Sequence, residues 1–379
     1  MIIPYRVKET VKNIKYDSYK KQKRRTDLKN SDHIALFYMG ALFPDRRTVQ
    51  IYKQLQIAGY KCVLYFANYR KWVKAAFLHN WRYSELILKD GIIDYIPNQI
   101  EILCQSSFDK EPNIPCNKKL IVHDQIMHRL TELTGETFFY PIHFHPTKMR
   151  RDIERECLMS DVRNRCIGIL FVGNTSSEYR KREKNLHEKY HIYSRPEVLN
   201  YVEKNCIDRV FVPKSFEDLC LKMKSKELED KIVLVREFRL DEKQYFWVLS
   251  QSKYYLHCAG VDIPYCHNQI ESMACGVVPI SNFTQYYPDL VDGINCIAYQ
   301  DLDQLKEICE DICSKKTRFT FEVLSNNVKE WYSNHYSFEE FTRRIKLSAN
   351  SNSKAENYYI FKELSPALTF LDLHTSMHF

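Results

Sequence analysis

The chain has 379 residues, 44% of them hydrophobic and 27% charged, a balance that excludes global disorder and leaves apolar material for two full cores. Nine glycines are too few for a Gly-rich repetitive architecture. The net charge is +8, and +7 of it sits in residues 1–25, where nine Lys/Arg face only Glu9 and Asp17; the remainder is close to neutral, so no nucleic-acid partner is expected.

Residues 1–30 read as a basic arm. Val7, Val11 and Ile14 recur at helical spacing, which fits a solvated amphipathic helix or a contact with an anionic membrane surface, where each Lys/Arg contributes about 1 kcal/mol. No apolar run of 18 residues occurs, and the start lacks a signal-peptide layout. A cytoplasmic protein, at most peripheral on the membrane, is therefore expected. The thirteen cysteines include no CxxC pair and sit mainly inside apolar runs such as YKCVLYF. They read as reduced thiols serving as small core residues.

From residue 33, short apolar runs alternate with amphipathic stretches. HIALFYM (33–39) reads as a buried strand, Thr48–Ile57 as a helix, YKCVLYF (60–66) as a strand after the turn at Gly59, and IEILC (100–104) and KLIVHD (119–124) as further strands. That order implies a parallel sheet with helices on both faces, a first domain over 31–150. His143 and His145 in PIHFHP alternate along a strand-like run and read as packing or surface residues rather than metal ligands. The charged stretch HPTKMRRDIERE, opening at His145, reads as a linker.

A second series occupies 151–346: IGILFVGN (167–174), RVFVP (209–213), KIVLV (231–235), KYYLHCA (253–259), GVVPIS (276–281) and CIAY (296–299), with helical patterns between them and three more from Leu302 to Lys346. Residues 347–379 form a tail that opens with SANSNSK, regains aromatic character and has the composition to dock back on the body. Two such alternations predict two doubly wound domains facing each other across a cleft, with ligands at the carboxyl ends of the strands.

The chemistry concentrates in residues 254–299. A loop from Gly260 to Cys266 feeds a helix starting near His267, and free N–H groups at a helix start favour an anion such as a diphosphate. On that helix Ile270, Met273 and Ala274 form an apolar arc, while His267, Asn268 and Glu271 share the opposite one. Glu271 is placed either to accept hydrogen bonds from the vicinal hydroxyls of a ribose or to lie solvated; Gly276 caps the helix.

This stretch resembles the donor-nucleotide segment of GT-B glycosyltransferases of the group-one-like kind. Glu271-Ser272-Met273-Ala274-Cys275-Gly276-Val277-Val278-Pro279-Ile280-Ser281 resembles the family's E-(A/S)-M-A-x-G-x-P stretch, matching it from Glu271 to Gly276. Pro288, Leu290, Val291, Gly293, Asn295, Ile297 and Tyr299 match the motif downstream of it, and FVGN, with Gly173, resembles the opening strand of the nucleotide domain. The resemblance covers roughly residues 165–345. It implies a nucleotide-sugar donor as co-substrate, a glycan or lipid-linked acceptor, no cofactor and no metal. Glu271 would hold the ribose, amides from Gly260 through His267 to Asn268 the diphosphate, and Arg236 and Arg239, or Arg180, Lys181 and Arg182, its charge. One departure stands out: the second acid of the retaining group would fall at Ile263, with Asp262 one residue off, so the stereochemical outcome stays open.

A general base from the first domain is then expected at His123 or Asp124, which close the strand KLIVHD, with Asp45 next in line. Asp301-Leu302-Asp303 imitates a metal-binding D-x-D but opens a helical pattern, and reads as a helix cap. A nucleotide-sugar epimerase, or a silent GT-B scaffold that binds nucleotide without turnover, is the alternative to transfer.

Overall fold

In the computed structural model the described residues are 28, 33–40, 42, 46–66, 91–93, 95–109, 114–123, 136–139, 143–175, 183–261, 263–317, 319–347 and 356–361. The arm 1–25 and Asp45, Asp124, Arg180, Lys181, Arg182 and Asp262 lie outside them. The described residues fall into two compact units: one holds those up to 139 with 145–149 and 341–361, the other 143–144 and 150–340.

The first unit is built on β1 (Ile34–Tyr38), α1 (Arg46–Ile57), β2 (Lys61–Tyr65), β3 (Ile92–Ile93), β4 (Ile102–Ser106), β5 (Lys118–His123) and β6 (Glu136–Phe139). Successive side chains of a strand point to opposite faces, and β1 divides accordingly. Ala35 and Phe37 join Val49, Tyr52 and Leu55 of α1 in one core, whereas Ile34 and Leu36 join Val63, Leu103 and Ile114 in the other. A strand buried on both faces must be apolar throughout, which is why HIALFYM is continuous rather than alternating. The sheet runs β3-β2-β1-β4-β5, then the C-terminal strand Glu356–Phe361, then β6, and every pairing is parallel. The tail thus supplies an interior strand, in register with Lys118–His123 on one side and Glu136–Phe139 on the other.

The second unit comprises α2 (Arg151–Leu158), β7 (Ile167–Val172), α3 (Arg195–Asn205), β8 (Val210–Phe211), α4 (Phe216–Lys224), β9 (Ile232–Val235), α5 (Glu242–Ser250), β10 (Ser252–Leu256), α6 (His267–Ala274), β11 (Val278–Ser281), β12 (Ile297–Ala298), α7 (Leu302–Cys313) and α8 (Phe321–His335). The stretch read as a charged linker therefore contains α2, whose Ile153 and Cys157 are buried; its apolar positions are too few for the pattern to stand out among seven charges. The sheet order is β12-β11-β10-β7-β9-β8, again parallel. Each unit is thus built on a parallel α/β sheet of the Rossmann-like kind. From α9 (Phe338–Leu347) the chain returns to the first unit, where Phe341 and Ile345 enter the core and β13 (Glu356–Phe361) joins the sheet.

Helix α6 ends where the sequence places its stop. Gly276 has φ +70°, a left-handed value that favours glycine, and its N–H closes on Met273 O at 2.8 Å. The buried Arg165 donates from Nη2 to Cys275 O and from Nη1 to Gly276 O and Ser252 O, so the carbonyls just past the end of α6 are satisfied by a guanidinium. All thirteen cysteines are free thiols, and ten of them are buried, as small apolar residues are. No helix among the described residues is long and apolar enough to cross a membrane.

His143 is a core residue, as its alternating sequence context suggests. It is fully buried, stacked on Phe338 with ring centroids 5.0 Å apart, donates from Nε2 to Tyr336 O and accepts at Nδ1 from Phe144 N–H. Those bonds fix the neutral tautomer, and burial pushes the pKa down to about 3. The unfolded chain, with an ordinary value near 6.5, binds the extra proton first as pH falls. Stability is therefore complete above about pH 6.5 and declines toward pH 3 by at most about 1.4 kcal/mol per pH unit. The thermal midpoint should drop between about pH 7.5 and 5.5, and His143→Gln should flatten that slope when followed by circular dichroism; equal slopes would place the titration elsewhere.

Candidate functional site

In the second sheet the chain leaves β7 toward β9 and β8, then crosses to the other side for β10, β11 and β12. The carboxyl ends of β7 and β10 flank this topological switch, the point at which such sheets present a ligand crevice. Two loops leave it: Gly173-Asn174-Thr175 after β7, and His257–Cys266 after β10.

A buried arginine joins them. Helix α3 begins with a capping box: Ser194 Oγ accepts from Glu197 N–H, and the Glu197 carboxylate accepts from Ser194 N–H at 2.7 Å. That fixes Arg195 at the first helical position with its side chain turned inward, 3% exposed. Nη1 donates to Asn174 O (2.8 Å), and Nη2 to Ala259 O (3.3 Å) and Cys266 Sγ (3.5 Å). The Phe171 ring centroid lies 5.6 Å from the guanidinium carbon, within cation–π range. One cation thus holds both loops of the switch.

The expected donor-binding residues gather here in part. Asn268 Nδ2 donates to Val172 O at 2.6 Å, and the Tyr255 hydroxyl donates to the same carbonyl at 2.9 Å. A Cβ on Gly173 would stand 3.0 Å from the Phe171 ring, 3.2 Å from Arg195 Nη1 and 3.6 Å from Asn268 Nδ2, so the backbone passes close over both polar groups. At Gly260 the loop folds back on itself: a Cβ there would meet Tyr265 O at 2.8 Å and Ile263 O at 3.0 Å. His267, half-buried, opens α6 at the same edge, with the N–H groups of the first turn behind it.

Other expected residues stand differently. The sequence places Glu271 on a polar arc of α6; in the structure Asn268 through Ala274 are all buried, and Glu271 is 0% exposed. Helices α2 and α8 both contact α6, so no arc remains free. Burial followed by the Glu271 charge drives the Tyr245 phenol well above its ordinary pKa. Arg236 forms an ion pair with Glu203 (2.6 Å), and Arg239 is exposed. Asp301 caps α7 by accepting from Gln304 N–H at 2.8 Å, and Asp303, in the first turn of that helix, accepts from the Tyr201 hydroxyl of α3. In the first unit His123 is the last residue of β5, paired with Phe361 in β13; its side chain and Asp124 are outside the described set.

Two residues of the switch escape sequence reasoning. Arg195 lies in S-R-P-E, which announces a helix start but gives no hint that the arginine turns inward. His257 follows β10 directly, is 1% exposed, and packs against Phe283 with ring centroids 4.4 Å apart. Burial and then the Arg195 charge hold its pKa well below the ordinary value, so the ring is neutral. Among the described residues Glu183, His187 and Glu197 form a group of metal-ligand type, with ligand atoms within 4.8 Å of one another. Its members are already engaged, His187 Nε2 with Glu197 at 2.8 Å and Ser194 with both carboxylates.

No protein-family model matches the chain, and no curated protein is similar to it at a significant level. Solved structures do resemble it. HepE from Anabaena, in complex with UDP, is 10% identical, the match covering 83% of this chain and 98% of that one, with a TM-score of 0.41. A glycosyltransferase from Rickettsia africae is 13% identical over 83% and 97% of the two chains (TM-score 0.40), and the sucrose-phosphate synthase of Thermosynechococcus elongatus 12% identical over the same shares (TM-score 0.39). The matches run the length of those chains, at scores too low to transfer any residue's role.

The close passage at Gly173 is testable. Gly173→Val should displace Arg195 or Asn268 and cost about 1–3 kcal/mol through overpacking, read as a lower denaturation midpoint. An unchanged midpoint would show that the two loops are not held together at this point.

Proposed function

We propose that the protein transfers a sugar from a nucleotide-sugar donor to a glycan or lipid-linked acceptor, with the donor seated on the second unit. The observation that supports this most directly is Arg195, a buried cation held at the topological switch between the Gly173 loop and the loop preceding α6. A diphosphate is the ligand chemistry that such a place suits: backbone N–H groups at a helix start, a glycine allowing close approach, and one fixed positive charge. The Glu271–Tyr299 motif supports the donor assignment independently. In this reading Glu271, buried in the free protein, accepts hydrogen bonds from the ribose hydroxyls. Transfer proceeds without a divalent metal, and residues 1–25 bring the enzyme to an anionic membrane surface where a lipid-linked acceptor resides.

Donor binding tests the reading first. A thermal-shift screen of nucleoside diphosphates should raise the midpoint, since ligand at about 100 times its Kd adds about 2.7 kcal/mol. Arg195→Gln and Glu271→Gln should each weaken the responding nucleotide by about 1.5–3 kcal/mol, or roughly tenfold to a hundredfold, in calorimetry. Full affinity in both variants would refute the assignment.

The chemical step is the second test. A base typically contributes about 10²–10⁴-fold, so His123→Ala or Asp124→Asn should cut turnover at saturating donor by at least about a hundredfold while donor affinity stays near wild type. Normal turnover in both would move the base elsewhere. Donor breakdown without any acceptor would instead favour an epimerase, and binding without turnover a scaffold.

A further inference from the structure

Among the described residues of the second unit, the two deeply buried histidines are treated differently by the fold. His143 has both ring nitrogens hydrogen-bonded, to Tyr336 O and Phe144 N–H. His257, equally enclosed, has neither Nδ1 nor Nε2 bonded to any described residue. A buried polar group left without a partner costs about 1–3 kcal/mol, so a native orphan calls for an explanation. Its surroundings do not provide one in the free protein. The ring lies against Phe283 and, 6.0 Å away, Tyr287, on which Tyr265 packs in turn at 5.5 Å. The Tyr287 phenol, pushed well above its ordinary pKa by burial, is neutral. Arg195, reaching in from α3, is the charged group that acts on the ring. His257 is also the first residue beyond β10, its N–H still on the ladder to Ile280 O at 2.9 Å, so it stands at the switch itself.

Charge balance says what the ring awaits. The diphosphate of a nucleotide-sugar is a diester with two negative charges, and Arg195 supplies one positive charge. The neutral imidazole of His257, which feels the charge of Arg195, is a group able to supply the second. We propose that His257 takes up a proton from solvent as the donor diphosphate seats beside Arg195, and that the resulting imidazolium donates a hydrogen bond to it. Beyond the ring, Gly260 and Val261 are only half-buried and lie open to an arriving anion. Before binding, the same ring is neutral because burial and Arg195 both oppose its protonation; afterwards the diphosphate outweighs Arg195. Donor affinity must then rise as pH falls, by up to tenfold per unit below the bound-state pKa.

This inference rests on the donor reading above, and calorimetry separates the two. The probes are UDP-glucose and GDP-mannose, whose diphosphates do not themselves titrate near neutrality, measured between about pH 6.5 and 8.5 in two buffers of different ionisation enthalpy. The wild-type protein should take up a fraction of a proton, approaching one at the acid end, and bind more weakly as pH rises. His257→Gln should abolish both the uptake and the pH slope; His257→Phe, which fits the aromatic surround, serves if the glutamine variant does not fold. His267→Gln, altering the other histidine at this edge, should keep both. Uptake that survives in the His257 variants, or disappears only in His267→Gln, overturns the assignment to His257. Binding without uptake in the wild type overturns it as well while leaving the donor reading intact. Binding of neither probe to the wild type defeats the donor reading, and the inference with it.

Discussion

A guanidinium kept out of water dictates the local structure around it. Arg195 cannot lose its charge, and burying an ion costs several kcal/mol unless its donors are satisfied. Its donors reach a carbonyl of each switch loop and a thiol, and its face meets an aromatic ring. The backbone after β7 and after β10 therefore has to present those oxygens where the cation needs them, which restricts both loops at once. The capping box at Ser194 and Glu197 then acquires a second role: it aims the arginine as well as starting α3.

Helix α6 is fixed by the same device at each end. Arg195 and Asn268 hold its beginning to the carboxyl edge of the sheet, and Arg165 holds the two carbonyls that follow its end, those of Cys275 and Gly276. With Ser325 Oγ also donating to Gly276 O, the helix has little freedom to slide along its axis. A binding loop anchored on such a helix is preorganised, so less ordering has to occur when a ligand arrives.

Much of this was legible in the sequence where the signal is local. Strands buried on both faces appear as apolar runs, and the stop of α6 is announced by Gly276. The polar arc of α6 was a sound inference from periodicity that failed on tertiary grounds: α2 and α8 cover the side a surface helix would leave to water, and Glu271 went inside with them. The helix in Arg151–Leu158 was hidden because charged residues dominate its composition, and its two buried apolar side chains, Ile153 and Cys157, are too few to show a period. Arg195 and His257 were invisible for another reason. Whether a polar side chain turns inward depends on partners far along the chain, such as Ala259 for Arg195 or Phe283 for His257, and no spacing rule records them. The tail's aromatic character did suggest docking, but nothing local specifies an interior strand.

Strand β13 has a consequence for biosynthesis. A ribosome delivers β5 and β6 long before Glu356–Phe361 emerges, and the second unit is made in between. Until then β5 and β6 each present a row of unpaired N–H and C=O groups, the kind of edge that recruits foreign strands. The first unit to be translated is therefore the last to be completed. Closing so long a loop makes this pairing intrinsically slow, so nascent chains pass through a period in which they depend on protection from aggregation, and any premature stop before residue 356 would leave that exposure permanent.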